Sequence, residues 1–293
     1  INKTQKKRIY LISNFDLIKN QLVKLNYKLK LIKVNNIFEE ENNSNLKIIN
    51  IDLKFKNPFK VSENKSSKFV IKSLKLGHKL ALNKNTQGLI NCPINKRLLG
   101  ANNIGVTEFL ASMSSIKDNS EVMLIWNKKF SVSPITTHIS IKSVSKRITK
   151  KLIIKKIKTI NQFSKKLFKK KSKIAILGLN PHNSELRKNS EEYKVIIPAI
   201  KSLKKLNIKI EGPFAADTVF IKNFKNYDVI VGMFHDQVLV PFKTIFKFNA
   251  INITLGLKYL RISPDHGIAA NIIGKKKGNA DSLIKCFNFF DKY

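Results

Sequence analysis

Cysteine is scarce in this chain, and long apolar runs are missing. Only Cys92 and Cys286 occur among the 293 residues, and they form no CxxC pair, so the sequence predicts no disulfide framework. No run approaches the roughly 20 apolar residues of a membrane-spanning helix, and no secretory signal opens the sequence. These absences argue against a disulfide-stabilised secreted domain and against a membrane protein. We therefore expect a cytoplasmic location and no membrane partner.

Acidic residues and arginine are also few. The chain has 56 Lys and Arg against 19 Asp and Glu, which gives a formal net charge of +37. A basic balance this large can indicate a nucleic-acid partner. However, only five of the basic residues are arginine, the residue that specific phosphate and base recognition usually requires, and the lysines are scattered along the whole chain. The abundance of Lys, Asn and Ile favours codon drift towards A and T, and we expect no specific nucleic-acid partner.

Strand-like and helix-like segments alternate along the chain. The 43% hydrophobic content is enough to bury a core, and the length suits one large or two modest α/β domains. The alternation predicts a layered α/β fold with a largely parallel sheet. The strand candidates are RIYLISN, KLKLIKV, KIINIDLKF, GLINCPI, KIAILGL, YDVIVGM and NAINITLGL. The helix candidates are DLIKNQLVKLN, SSKFVIKSLKLGHKLAL, residues 143–171, EEYKVIIPAIKSLKKLN and residues 281–290.

Three of the five histidines each close an apolar, strand-like run. They are His138 after MLIWNKKFSVSPITT, His182 after KIAILGLNP and His235 after YDVIVGMF. In open α/β sheets, ligands bind beyond the carboxyl ends of the strands, where three imidazoles could converge on one divalent metal. Their spacing matches no compact metal motif, and a single histidine at a strand end is more often a satisfied polar residue. The metal hypothesis therefore depends on the sequence around them.

A series of ordered motifs runs from about residue 88 to the C-terminus. The motifs are CPINK (92–96), GVTEFLA (105–111), TTHISI (136–141), GLNPH (178–182), GPFAADTVF (212–220), YDVIVGMFHDQVLVPFK (227–243) and NITLGLKYLRISPDHG (252–267). In this order they resemble the motifs of the 4-hydroxythreonine-4-phosphate dehydrogenases, which are NAD-dependent enzymes of pyridoxal phosphate biosynthesis. The combination of GLNPH, HDQ and NITLGL is highly specific to this family.

The resemblance implies a set of site residues. One divalent metal ion (Zn, Mg or Co) is held at a homodimer interface by ligands from both subunits, and the matching residues are His138, His182 and His235. The residues that match the family's contacts to the phosphorylated substrate are Thr107, Lys243, Asn252 and Arg261. A phosphate needs fixed cations and donors, which these side chains supply. Asp217 and Asp236 are carboxylates near the expected site, and each either orients a ligand imidazole or caps a helix.

The resemblance also implies the reaction and the architecture. The expected reaction is NAD- or NADP-dependent, metal-assisted oxidation of 4-phosphohydroxy-L-threonine to a β-keto acid, which loses CO₂. No GxGxxG fingerprint is present, so the dinucleotide is expected from the resemblance alone, and the residues identify no general base. The subunit is expected to resemble the isocitrate and isopropylmalate dehydrogenases, with its active cleft between two α/β domains. The expected domains are residues 1–104 with 264–293, and residues 105–263.

The chain departs from the family pattern in three places. Val106 replaces the histidine of the family's GHTE motif, and NSELRKNSEE lacks its glycine-rich turn, with Glu185 as a possible match. The family's opening strand and glycine-aspartate-proline loop have no counterpart after Ile1, so we expect a chain that is truncated or has diverged at its start. Two alternatives therefore stay open: a dehydrogenase of another phosphorylated hydroxy acid, and a catalytically eroded homologue that binds polyanions through its lysines.

Overall fold

The computed structural model describes residues 3–37, 45–100, 105–114, 116, 121–222 and 224–293. Its strands, numbered in chain order, are β1 (Tyr10–Ser13), β2 (Leu31–Val34), β3 (Leu46–Asn50), β4 (Gly88–Ile90), β5 (Val122–Trp126), β6 (Ser131–Thr136), β7 (Ile174–Leu177), β8 (Ile210–Phe214), β9 (Val229–Phe234), β10 (Ile251–Leu255) and β11 (Leu260–Pro264). Its α-helices are α1 (Lys3–Arg8), α2 (Phe15–Lys24), α3 (Glu63–Ala81), α4 (Val106–Met113), α5 (Val144–Arg147), α6 (Lys150–Phe168), α7 (Ile197–Lys205), α8 (Ala216–Lys222), α9 (His235–Phe246) and α10 (Asp281–Lys292).

The strands form two sheets. A parallel three-stranded sheet has the order β1-β3-β2, and an eight-stranded sheet has the order β4-β11-β10-β5-β6-β9-β7-β8. In the larger sheet the pairs β6–β9, β9–β7, β7–β8 and β4–β11 are parallel. The pairs β11–β10, β10–β5 and β5–β6 are antiparallel. The predicted α/β class is confirmed, with antiparallel pairs in the middle of the large sheet.

The antiparallel part of the sheet arises where polar turns interrupt apolar runs. The run MLIWNKKFSVSPITTH is not one strand but the hairpin β5–β6, because Asn127 turns the chain and accepts a hydrogen bond from the N–H of Lys129. Strands β10 and β11 form a second antiparallel pair, in which Thr254 lies opposite Arg261 and Asn252 lies opposite Ser263. Since side chains alternate along a strand, these four residues share one face of the sheet.

Helix α6 lies within the lysine-rich amphipathic helix predicted for residues 143–171. The side chain of Thr149 begins the helix by accepting a hydrogen bond from the N–H of Leu152. Its apolar stripe is fully buried against one face of the large sheet and comprises Ile153, Ile157 and Ile160. Helix α9 covers the other face and buries Phe242 beside Phe130. Both faces of the large sheet are therefore covered by helices.

Strands β6, β9 and β7 are parallel neighbours, so their carboxyl ends meet at one edge of the sheet. His138 lies two residues after β6, His235 is the first residue of α9 directly after β9, and His182 follows β7 by five residues. The order of the strands along this edge is that of His138, His235 and His182. All three histidines therefore follow strands that end at the same edge of the large sheet.

The two expected domain boundaries lie between residues 104 and 105 and between residues 263 and 264. Strand β4 and helix α10 come from the segments expected in the first domain, yet β4 pairs with β11 and α10 packs on β10 and β11. The boundary between residues 104 and 105 adjoins residues 101–104, which lie outside the described residues. The two-domain division therefore stays a prediction. Among the described helices, none has the length and apolar character that crossing a membrane requires.

Candidate active site

His138 and His235 lie side by side at the carboxyl edge of the large sheet. Their ring centroids are 5.7 Å apart, with an angle of 39° between the ring planes. Both side chains are about one-third exposed, at 29% for His138 and 32% for His235. Two imidazoles that are this close and open to solvent can bind a shared ligand.

Each of these imidazoles has a carboxylate at its Nδ1 atom. Glu108 Oε1 lies 3.1 Å from His138 Nδ1, and Asp236 Oδ1 lies 2.6 Å from His235 Nδ1. A carboxylate that accepts the Nδ1–H fixes the ring so that Nε2 carries the free lone pair, which is how metal-binding histidines are usually held. Asp236 therefore contacts a candidate ligand, whereas Asp217 is exposed in the first turn of α8.

Glu108 is held in its charged form. Burial raises the pKa of Glu108. Its hydrogen bond to His138, a backbone hydrogen bond and nearby positive charge together lower the pKa by more, so the net pKa is below the ordinary value. A carboxylate that stays ionised strengthens the imidazole as a metal ligand. The neighbouring residue on α4, Thr107, contacts Arg261 instead.

His182 is exposed and does not join the other two histidines. It lies in the turn Pro181–Leu186, where His182, Asn183, Ser184 and Glu185 all have left-handed φ angles between 48° and 56°. Among the described residues of this chain, no three His, Cys, Asp or Glu side chains are placed to hold one metal ion. The chain alone therefore brings together two of its three candidate metal ligands.

The loop that carries His182, residues 178–187, is anchored by a buried carboxylate. Glu192, which has no exposed surface, accepts hydrogen bonds from the N–H groups of Leu179 and Asn180 at 2.7 Å and 2.8 Å and from the Asn180 amide. Burial raises the pKa of Glu192, but these hydrogen bonds outweigh burial and lower the net pKa. Gln237 also donates to the carbonyl of Gly178 at 2.8 Å. The start of the 178–187 loop is therefore fixed by ordered hydrogen bonds.

Arg261 is a buried cation with neutral neighbours. Its Nε donates to Asn91 Oδ1 at 2.6 Å, and one terminal nitrogen lies 2.8 Å from Thr254 Oγ1 and 3.3 Å from Thr107 Oγ1. The residue is 3% exposed, and among the described residues no carboxylate forms an ion pair with it. Burial lowers the pKa of Arg261 to about 10, so the guanidinium is still charged at neutral pH. An uncompensated buried cation is costly, which is typical of a site that receives an anion.

Lys243 and Asn252 lie further along the same face of the sheet. Lys243 Nζ is 3.1 Å from Asp265 Oδ1 and 3.3 Å from the carbonyl oxygen of Asp265. Asn252 is two residues from Thr254 on β10, so the two side chains are about 7 Å apart along the strand. The structure thus gives Lys243 a carboxylate partner, while Arg261 has hydroxyl and amide partners.

Several buried polar atoms at or beside the predicted site residues have no hydrogen-bond partner among the described residues. Six such side-chain atoms occur within the described part of the chain, and four of them belong to residues that are part of the candidate site or adjoin a predicted site residue. The four are Glu108 Oε2, Asn183 Oδ1, Asn252 Oδ1 and Asp265 Oδ2. Native proteins pair nearly all buried polar groups, so each of these unpaired atoms is a candidate contact for a bound ligand.

Val106, which replaces the family's histidine, packs with an apolar cluster. It is the first residue of α4 and lies against a group of buried side chains that includes Leu99 and Phe109. A valine here contributes no hydrogen bond to the site. Any interaction that a histidine would make with the substrate is therefore missing from this chain.

Sequence reasoning did not identify three acidic residues of this site: Glu108, Glu192 and Asp265. A signal for the first was present, because Glu108 directly follows Thr107 and the chain has only 19 acidic residues. The roles of Glu192 and Asp265 depend on contacts with residues that are 12 and 22 positions away in the chain. These contacts follow from the strand order and cannot be read from spacing.

Comparison with known proteins relates the chain to one group. The family model described as pyridoxal phosphate biosynthetic protein PdxA matches residues 5–289. The 4-hydroxythreonine-4-phosphate dehydrogenase of Sulfurihydrogenibium sp. (strain YO3AOP1) is 40% identical over 232 residues, which cover 78% of this chain and 71% of that protein. The protein of the same name from Aquifex aeolicus (strain VF5) is 36% identical over 273 residues, which cover 92% of this chain and 82% of that protein.

The fold is also similar to a solved structure. The crystal structure of 4-hydroxythreonine-4-phosphate dehydrogenase from Klebsiella pneumoniae superposes with a TM-score of 0.84 at 24% sequence identity, over 99% of this chain and 94% of that one. At this identity the likeness shows a shared fold.

Proposed function

Because the chain belongs to the family of the pyridoxal phosphate biosynthetic protein PdxA, we propose that it catalyses the reaction for which its dehydrogenase relatives are named. The proposed reaction is the NAD-dependent, metal-assisted oxidation of 4-phosphohydroxy-L-threonine. The β-keto acid that forms loses CO₂ to give 3-amino-2-oxopropyl phosphate. The observation that carries the proposal is that consecutive residues of α4, Thr107 and Glu108, join the buried Arg261 to His138.

The anion end of the proposed site is the surface around Arg261. A phosphate that reaches this guanidinium would compensate its buried charge, and charge-assisted hydrogen bonds are the strongest kind available to it. Asn252, whose Oδ1 atom is buried and unpaired, and Thr107 lie within the same part of the sheet. These residues would bind and orient the phosphorylated end of the substrate.

The metal end of the proposed site fits a divalent ion on the chemistry of its donors. His138 and His235 are neighbours, and a carboxylate contacts the Nδ1 atom of each. When bound, a divalent metal would polarise the substrate hydroxyl and stabilise developing negative charge on oxygen. We propose that His182 of the partner subunit completes the ligand set in a homodimer, since His182 is exposed and does not lie with the other two in one chain.

The use of a dinucleotide is inferred from the family alone. The chain has no glycine fingerprint, so we assign no residue to NAD or NADP. The contribution of NAD to the reaction would be to accept the hydride from the substrate carbon. What the chain itself must do is hold the phosphate, orient the hydroxyl and remove its proton.

The proposal is tested by metal-dependent turnover. Purified protein is stripped with a chelator, reloaded with Zn²⁺ and mixed with NAD and 4-phosphohydroxy-L-threonine. We expect reduced dinucleotide and, by mass spectrometry, 3-amino-2-oxopropyl phosphate, with neither formed by the stripped protein. The dephosphorylated substrate should react far more slowly, because it cannot use Arg261.

Two variants separate the metal site from general effects of histidine loss. His235→Ala should lose both bound metal and turnover. His78→Asn is the control, because His78 contacts Tyr259 and lies outside the candidate site. Full metal occupancy in His235→Ala, or equal turnover with and without metal, would show that the metal assignment is wrong.

A second candidate function is oxidation of another phosphorylated hydroxy acid. The observation that favours it is Val106, which offers an apolar surface where the family pattern has a histidine. Under the first proposal, Val106→His should improve turnover of 4-phosphohydroxy-L-threonine. Under the second, the variant should lose activity towards the true substrate, and a panel of phosphorylated hydroxy acids distinguishes the two. Retention of all three strand-end histidines together with Arg261 argues against an eroded, polyanion-binding homologue.

A further inference from the structure

Asp265 is a buried carboxylate whose main chain is fixed. It follows β11 directly after Pro264, and the residue is 7% exposed. Its N–H donates to Ser282 Oγ at 3.0 Å, and the Ser282 hydroxyl donates in turn to the carbonyl of Ala250 at 2.7 Å. This chain of hydrogen bonds ties Asp265 to α10 and to the residue that precedes β10. The carboxylate therefore projects from a rigid position.

Only one oxygen of this carboxylate is used by the described chain. Oδ1 lies 3.1 Å from Lys243 Nζ, whereas Oδ2 is buried and has no hydrogen-bond partner among the described residues. A purely structural buried ion pair usually has its remaining oxygen satisfied as well, because an unpaired buried lone pair costs free energy. Oδ2 is therefore available as an acceptor for a bound molecule.

Asp265 adjoins two residues that are expected to contact the substrate, Lys243 and Asn252. Lys243 lies eight residues after His235 on α9, and the charge of His235 acts on the Asp265 carboxyl group. On the other side, Asp265 lies two residues after Ser263, which is opposite Asn252 in the β10–β11 pair. An acceptor at this place is close to expected substrate contacts on both α9 and β10.

We propose that Asp265 is the general base of the oxidation and that Lys243 positions it. This inference rests on the proposed function. In the step, the O–H bond of the substrate hydroxyl breaks and its proton passes to Asp265 Oδ2. The oxygen electron pair forms the C=O bond as the hydride leaves the same carbon for the nicotinamide of the dinucleotide. A lysine ammonium has three donors, and Asp265 uses two of those of Lys243, which leaves one for the substrate.

The surroundings of Asp265 suit a proton acceptor. Burial raises the pKa of Asp265, whereas the charges of Lys243, His266 and His235 and the hydrogen bond from Lys243 lower it, and the net pKa is above the ordinary value. A carboxylate with a raised pKa binds a proton more tightly than an exposed aspartate does, which favours base catalysis near neutral pH. The charged groups that face it come from α9 and from its own loop.

The first test is Asp265→Asn, measured in the metal-loaded enzyme with the phosphorylated substrate and NAD. Loss of a general base should lower kcat by about 10²- to 10⁴-fold and leave KM within a few-fold of the wild type. The control is Asp228→Asn, which removes a similar aspartate–lysine pair, with Lys170, next to the first residues of β7 and β9. The control should keep the wild-type kcat.

The pH profile and chemical rescue distinguish a base from a structural residue. Wild-type kcat should fall as pH decreases through the pKa of Asp265, and this acidic limb should be missing from Asp265→Asn and present in Asp228→Asn. Asp265→Ala should regain activity when formate is added, because formate can take the place of the missing carboxylate. Structural damage gives no such rescue.

Several outcomes would overturn the assignment. They are a kcat within about threefold of the wild type in Asp265→Asn, an acidic limb that this variant retains, or no rescue by formate of a folded Asp265→Ala protein. Should both variants fail to fold, a wild-type kcat that is flat over the acidic range would overturn it equally. Wild-type protein without any turnover would instead contradict the proposed function and remove the basis of this inference with it.

Discussion

Glu108 Oε1 lies 3.1 Å from His138 Nδ1, while the preceding residue, Thr107, lies 3.3 Å from the guanidinium of Arg261. One turn of α4 therefore contacts both a candidate metal ligand, His138, and the candidate phosphate ligand, Arg261. A change in the position of α4 should therefore alter both metal binding and phosphate binding. The two ends can be separated by mutating each contact by itself.

Glu108→Gln should weaken metal binding without removing a metal ligand. The amide keeps the size of the side chain but loses the charge that strengthens and orients the His138 imidazole. Changes of this kind typically lower metal affinity by about 10- to 100-fold. The measurement is a competition titration of Zn²⁺ against a chelator. Glu63→Gln is the control, since Glu63 is exposed in the first turn of α3, and unchanged affinity in Glu108→Gln would contradict the metal site.

Arg261→Lys should discriminate between substrates with and without a phosphate. A lysine keeps the charge but cannot contact Asn91, Thr107 and Thr254 in the planar arrangement of a guanidinium. A charge-assisted hydrogen bond is worth about 1.5–3 kcal/mol, so kcat/KM for the phosphorylated substrate should fall by about 10- to 100-fold. Steady-state kinetics of Arg261→Lys and of the exposed control Arg147→Lys measure this. An equal effect on the dephosphorylated substrate would show that Arg261 is not a phosphate ligand.

Glu192→Gln should destabilise the protein at neutral pH. The neutral side chain cannot accept the hydrogen bonds from Leu179, Asn180 and the Asn180 amide together, and hydrogen bonds to a charged group are worth about 1.5–3 kcal/mol. The free energy of unfolding, measured in urea, should fall by about that amount. Glu191→Gln is the control, because Glu191 is less buried and contacts Ser145 and Asn180, and its loss should be smaller.

The same variant predicts a pH dependence with a definite sign. The pKa of Glu192 is lower in the folded protein than in the unfolded chain, so its contribution is fully present above the unfolded pKa. That contribution is lost as pH falls through the folded pKa, and the difference between wild type and Glu192→Gln should shrink in acid. A difference that grows in acid would contradict the role given to Glu192.

Ser184→Gly should stabilise the 178–187 loop. Ser184 has a φ angle of 48°, a left-handed conformation that costs residues with a side chain about 1–2 kcal/mol and costs glycine little. After the greater freedom of glycine in the unfolded chain is subtracted, the net gain should be about 1 kcal/mol. Thermal unfolding measures it, with Ser202→Gly as a helical control that should be destabilised because it lies within α7. A loss of stability in Ser184→Gly would contradict the left-handed turn.

The sequence allowed the general fold to be predicted, but not the pairing within the large sheet. Alternating apolar and amphipathic segments predicted the α/β class and the helix α6, because both patterns are local. Strand β11 and the hairpin β5–β6 were not predicted, since LRISP forms a strand through its pairing with β10 and β4, and the turn at Asn127 divides one apolar run into two strands. The position of Arg261 opposite Thr254 depends on that pairing and has no local signal.

Some residues of the candidate site could be predicted from the sequence and others could not. The strand-end positions of His138, His182 and His235 can be read from the sequence, because apolar runs precede them. The carboxylates of Glu108 and Asp265 could not be assigned, because the first reaches His138 across 30 residues and the second reaches Lys243 across 22. Residues within one motif are thus predictable, whereas contacts between motifs require the folded chain.

The most direct test of the central claim is complementation between two inactive variants. The claim is that a metal-dependent dehydrogenase site takes His138 and His235 from one subunit and His182 from the other. His182→Ala and His235→Ala are each expected to be inactive. When they are unfolded together in equal amounts and refolded, half of the dimers should be mixed, and each mixed dimer should hold one complete site. The mixture should therefore recover about one quarter of wild-type turnover of 4-phosphohydroxy-L-threonine with NAD and Zn²⁺. A mixture that stays inactive, while wild-type protein refolded in the same way is active, would contradict the shared site.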